Sequence, residues 1–144
     1  MKRLLFLISI LIFSKAASSQ PLRKDTIDCG GFEITLAFPS NLKLYSHITN
    51  YEEGFYKDYS LSNGLLIFVH YGGMAEDVVE ADSIIYECKM GNVAGSILYM
   101  KDKKYFRIDS YYQAGVTISF QFVNKDNLTI AEDILNTIEI NKLF

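Results

Sequence analysis

Two cysteines, two histidines and a cluster of carboxylates are the residues with which this chain could do chemistry, and none falls in a spacing that a reaction requires. Cys29 and Cys88 form an even pair, which makes them disulfide candidates in an exported protein. Closing a loop of that length would stabilise a fold by roughly 4 kcal/mol on a chain-entropy argument. Cys88 also alternates with Ile84 and Tyr86, where an unpaired thiol serves as a small hydrophobe, so both readings of the cysteines stay open. No histidine lies near either thiol in sequence to favour the thiolate of a nucleophile. His47 and His70 are separated by a hairpin signal, without the clustered N and S ligands that zinc needs, and His70 reads as a strand position beside Tyr71. Glu76, Asp77, Glu80 and Asp82 lack the alternation, central Gly and terminal Glu of a calcium loop, and read as the solvated face of a short helix or ordered loop. There is no G-x-S-x-G elbow, and Gly72-Gly73 lacks the Lys and Ser/Thr of a phosphate loop. The sequence therefore predicts no catalytic residue, no metal site and no cofactor. What remains is aromatic: of ten tyrosines, Tyr99, Tyr105 and Tyr111 read as one alternating row, opposite Met100, Phe106 and Tyr112, and are the candidates for a binding face.

The start of the chain has the form of a secretory signal peptide spanning residues 1–19. Lys2 and Arg3 precede an apolar stretch from Leu4 to Phe13, and Ala17 and Ser19 offer the small side chains that signal peptidase requires before Gln20. The stretch is shorter than the roughly 20 apolar residues of a membrane-crossing helix, and no Cys stands near the cut to take a lipid. Cleavage would remove Lys2, Arg3 and Lys15, so that 14 basic residues become 11 against 17 acidic ones and the net charge moves from −3 to −6. An acidic domain repels phosphates, which argues against nucleic acid as a partner. The one basic cluster, Lys101, Lys103, Lys104 and Arg107, surrounds a turn. The expected product is a single secreted or periplasmic domain over residues 20–144, with no membrane span after cleavage.

Positioning falls to strands. Phe32, Ile34, Leu36 and Phe38 alternate with Glu33, Thr35 and Ala37 up to Pro39, the pattern of a strand with one buried face. Ser62-Asn63-Gly64 is a hairpin signal, because Asn-Gly accepts the positive φ angles of a tight turn, and Leu65 to Tyr71 reads as a central strand. Alternation returns at Ile84, Tyr86 and Cys88, turns at Gly91-Asn92, and runs through Val93, Ile97 and Tyr99, then Tyr105 to Tyr112, then Val116 to Phe122. Hairpin-linked strands of this kind make an antiparallel meander. In the last segment Thr129 and Glu132 fit a capping box, and Ile130, Ile134, Leu135 and Ile138 share one helical face. The fold class expected is α+β: an antiparallel meander with an amphipathic C-terminal helix packed on it.

In order of elements the chain resembles the PsbP-like superfamily. The segments that carry the resemblance are GFEITLAFPSNLKL (Gly31–Leu44), GSILYMKDKKYFRIDSYY (Gly95–Tyr112) and AEDILNTIEI (Ala131–Ile140). Members of that group open on an aromatic-rich strand ending in Pro, run through an antiparallel sheet and close on a helix. No Ran-binding or manganese-associated residue matches, so the resemblance implies only a non-catalytic adaptor or binding role, by analogy of fold. The function expected is an exported binding module whose ligand is a protein or a small apolar molecule. The alternatives are a small secreted hydrolase, which would need a pocket containing one His, or an acidic inhibitor of the immunity-protein kind.

Overall fold

The computed structural model describes residues 21–72, 80–91 and 94–142. The proposed signal peptide, Glu76, Asp77, Asn92 and Val93 lie outside these residues. Ten strands run in the order β1 (Leu22–Asp28), β2 (Phe32–Pro39), β3 (Leu44–Tyr51), β4 (Gly54–Leu61), β5 (Leu66–Tyr71), β6 (Ser83–Met90), β7 (Ala94–Lys101), β8 (Lys104–Tyr111), β9 (Val116–Phe122) and β10 (Glu139–Lys142). The helix α1 spans Asn127–Leu135, between β9 and β10. All pairings are antiparallel, and they build two sheets: β1-β2-β10, and β3-β4-β5-β9-β8-β7-β6.

Short turns set the large sheet's register. The β4–β5 connection closes with Leu61 N–H on the Leu65 carbonyl at 2.9 Å, and Gly64 sits at φ +84°, the conformation its lack of a Cβ permits. The β7–β8 hairpin turns on Asp102 and Lys103 alone, both at positive φ, with Lys101 opposite Lys104. Two positive-φ residues match the right-handed twist of the flanking strands.

The core lies between the sheets. Ile34, Leu36 and Phe38 of β2 face Tyr59, Ile67, Val69, Ile118, Phe120 and Phe122 of the large sheet, and all are essentially inaccessible to water. Asp25 of β1 ties the layers together. Its carboxylate accepts from Lys57 Nζ at 2.7 Å and from the buried Tyr59 hydroxyl at 2.9 Å, and burial followed by the Asp25 hydrogen bond raises the Tyr59 hydroxyl above the ordinary tyrosine range.

This architecture corrects the α+β expectation. The molecule is mostly β, and the main cover on the large sheet is the second sheet, with one nine-residue helix contributing Ala131 and Ile134 to the core. The expected capping box does not form: the helix begins at Asn127, without a side-chain cap, and Thr129 lies inside it. Asn127 instead exchanges two hydrogen bonds with Asn63, at 2.9 and 3.1 Å, pinning the helix start to the β4–β5 turn. The expected helical face also ran too far. Ile138 lies past the helix end, and Ile140 pairs with Ile34 in β10. Two strands lacked a readable pattern: β1 is Leu-Arg-Lys-Asp-Thr-Ile-Asp with only Ile27 buried, and β10 is four residues long. Such segments become strands because β2 offers an unpaired ladder on each side, which is a tertiary circumstance.

At the junction of α1 and β10, Thr137 extends the β2 ladder with its side chain. Its Oγ1 accepts the Ala37 N–H at 2.9 Å and donates to the Ile134 carbonyl at 2.6 Å. One hydroxyl thus closes the helix and supplies the partner that β10 is too short to give.

Candidate functional site

The β1-β2-β10 layer and α1 cover the middle of the large sheet and leave one wing bare. No residue of β6 belongs to the core, and β7 contributes only Leu98 to the cluster between the layers. Residues opposite one another in a ladder share a face, so the registers arrange the wing's inner side in rows. Cys88, Ser96 and Asp109 form one row, with Tyr86, Leu98 and Arg107 on one side of it and Met90, Ala94 and Tyr111 on the other. These rows line a groove of about 150 Å³ bounded by Tyr86, Cys88, Met90, Ala94, Ser96 and Tyr111, with Asp109 at its floor.

The groove is mostly apolar. Asp109 is 8 % exposed, yet its charge is matched: Arg107 donates from Nε at 2.9 Å and from Nη2 at 3.2 Å. Such two-point contact fixes both side chains. Glu132 of α1 lies 3.7 Å from Arg107 Nη1. Between Asp109 and Cys88, the Ser96 hydroxyl oxygen is buried without a hydrogen-bond partner among the described residues. A buried hydroxyl left unsatisfied costs about 1–3 kcal/mol. Burial and the Asp109 charge raise the Tyr111 hydroxyl above the ordinary tyrosine range, so it stays protonated as a donor.

The expected aromatic row is divided. The hairpin turns on two residues, so odd positions on β7 share a face with even positions on β8: Tyr99 lies opposite Phe106, and Tyr105 opposite Met100. Tyr99 stacks on Phe106 at 5.2 Å on the outer face, while Tyr105 stacks on Phe122 at 5.4 Å on the inner one. Only Tyr111 of the three lines the groove. Cys29 and Cys88 are both free thiols. Cys29 follows β1 in the small sheet, whereas Cys88 lies on the terminal strand of the large one. Burial, and to a lesser degree Asp28, pushes the Cys29 thiol up to about 11.

The histidines lie on the outer face, away from the groove. His70 is buried, stacked on Tyr56 at 4.3 Å, and its Nε2 meets the Tyr51 hydroxyl at 2.5 Å. Burial lowers its pKa. Gly54 is needed here, since a Cβ would fall 1.9 Å from the Tyr71 carbonyl oxygen and 2.8 Å from the Tyr51 hydroxyl. His47 stands opposite Asp58 beside a hollow of about 210 Å³ that includes Tyr45, Leu66 and Phe68. Among the described residues neither histidine is hydrogen-bonded to Ser or Cys. Of the acidic cluster, Glu80 pairs with Lys101 at 3.3 Å and Asp82 accepts the Asp102 N–H at 2.8 Å, so both brace the β7–β8 turn. No group of three metal-ligating side chains occurs among the described residues. Nor is any helix among them long and apolar enough to cross a membrane.

Residue-type reasoning passed over Ser96, Met90 and the Arg107–Asp109 pair. The signal for the pair was present in Tyr105-x-Arg107-x-Asp109-x-Tyr111, which sets two opposite charges on one side of a strand between aromatics. Two charges on a covered face require mutual neutralisation. No family model, curated protein or solved structure matches the chain.

Proposed function

We propose that this chain is an exported, non-catalytic binding domain that takes a ring-sized apolar group into the groove between β6, β7 and β8. The observation that carries this reading is the Ser96 hydroxyl, unpartnered among the described residues, in a mostly apolar groove. A volume of this order accommodates one benzene-sized group, and a polar atom on that group, once the Ser96 hydroxyl turns towards the groove, would satisfy it. Export rests on the basic, apolar and small-residue succession of residues 1–19. The PsbP-like resemblance agrees with a binding role but supplies none of the groove residues.

The test is a titration of the domain over residues 20–144 with p-cresol and with toluene, followed by amide chemical shifts. p-Cresol is expected to shift amides of β6, β7 and β8 selectively. It should bind several-fold more tightly than toluene, because a hydrogen bond contributes about 1 kcal/mol net. Ala94→Leu, which fills the groove, should abolish the shifts, and Ser96→Ala should remove the preference for p-cresol. Shifts confined to another surface, or unaffected by Ala94→Leu, would overturn the assignment.

A further inference from the structure

We propose that β6 is a homotypic docking edge, through which two copies of the chain pair antiparallel over Tyr86–Met90 with the two-fold axis at Cys88. Among the described residues strand β6 terminates the seven-stranded sheet, and such an edge is a template for another strand. Beside the charged Glu87 and Lys89 it carries exposed apolar side chains: Ile84, Ile85, Tyr86 and Met90 are each half or more exposed, Met90 at 64 %.

The occupant and the register follow from two features of the strand. First, pairing with β7 is irregular between Ile84 and Tyr86 and regular from Tyr86 to Met90, after which Gly91 turns at φ +56°. The regularly paired segment is therefore five residues long, and its midpoint is Cys88. Second, Glu87 and Lys89 flank that midpoint on the same face, 3.8 Å apart. Read antiparallel about Cys88, this dyad is its own complement. Each Glu87 meets the other copy's Lys89, each Tyr86 meets a Met90, and Cys88 meets Cys88. Oppositely charged cross-strand pairs favour one register, and like charges directly opposite disfavour the alternatives. The other edge, β3, contains no Asp, Glu, Lys or Arg to select a register. In the resulting dimer the two grooves would adjoin across the axis, since Tyr86, Cys88 and Met90 line each of them. The proposal does not depend on the ligand reading, because association and p-cresol binding are measured separately.

Sedimentation equilibrium on the domain over residues 20–144 tests it. A reversible dimer is expected. Glu87→Lys, which places Lys opposite Lys twice, should weaken it roughly tenfold, given the modest worth of each exposed pair. Lys89→Glu should do the same. The double variant Glu87→Lys with Lys89→Glu should restore it, which a nonspecific loss of fold would not. A second readout uses diamide, an azo oxidant that takes two electrons and two protons from a pair of thiols and becomes the hydrazine. Directly opposed residues have Cα atoms about 4.5–5.5 Å apart, within disulfide reach. Cys29→Ser should therefore cross-link rapidly through Cys88. Cys88→Ser should not cross-link, yet should still dimerise. A monomer at millimolar concentration, no restoration in the double variant, or equal cross-linking of Cys29→Ser with and without Glu87→Lys would each overturn the proposal.

Discussion

Replacing Thr137 by Val isolates what one hydroxyl contributes to holding the helix and the small sheet together. The two side chains have nearly the same shape, and both are β-branched, so packing and backbone preference are retained. What is lost is the acceptor for the Ala37 N–H, at 2.9 Å, and the donor to the Ile134 carbonyl, at 2.6 Å. The Ile134 carbonyl keeps the Thr137 N–H at 3.0 Å, so its loss is partial. Ala37 is 2 % exposed, and water cannot readily replace the acceptor there. An orphaned buried donor costs about 1–3 kcal/mol, and we expect Thr137→Val to destabilise by about 2 kcal/mol. With a urea m-value of the usual order, the unfolding midpoint should fall by about 1 M with m unchanged. Thr137→Ser keeps the hydroxyl and removes one methyl, at a cost of about 1 kcal/mol or less. Equal destabilisation by Val and Ser, or a Val effect under about 0.5 kcal/mol, would refute the assignment of this hydroxyl as the continuation of the ladder.

Two further outcomes follow from titrating groups. With Cys88 replaced by Ser, the thiol of Cys29, raised from 9.0 to about 11, should react with iodoacetamide at pH 8 roughly a hundredfold more slowly than in the urea-unfolded chain, because only the thiolate attacks; similar rates would show the thiol to be unburied. Burial holds His70 below its ordinary value, so the unfolded chain binds the proton more readily. The stability that neutral His70 allows is present above the unfolded value of about 6.5 and declines as pH falls below it towards the folded pKa. His70→Gln should flatten that acid limb in urea midpoints measured between pH 7 and 5, and an unchanged slope would show that another group is responsible.

Much of both sheets was legible because the signals are local. Alternation marked β2 of the small sheet and β6 to β9 of the large one, and Asn63-Gly64 marked a turn whose φ angles few other residues accept. The helix segment was legible in kind but not in extent. Ile134 and Ile138 keep helical spacing, yet once β2 stands beside the chain the last residues gain more as a ladder partner than as another helical turn. Polar β1 became a strand for the same reason. In the candidate site, sequence spacing could name tyrosines but not their faces: a two-residue turn at Asp102-Lys103 reverses the parity between β7 and β8 and separates Tyr99 from Tyr105 and Tyr111.

By itself, then, the sequence determined that the chain would alternate, where it would turn, and that no familiar catalytic spacing occurs. These are properties of residue type and near neighbours. Only the tertiary structure decided that a second sheet covers the first, that Cys29 and Cys88 lie in different layers, and that Ser96, between Cys88 and Asp109, is buried without a partner among the described residues. Each depends on which strands lie side by side, and ladder order is set by contacts between residues far apart in the chain.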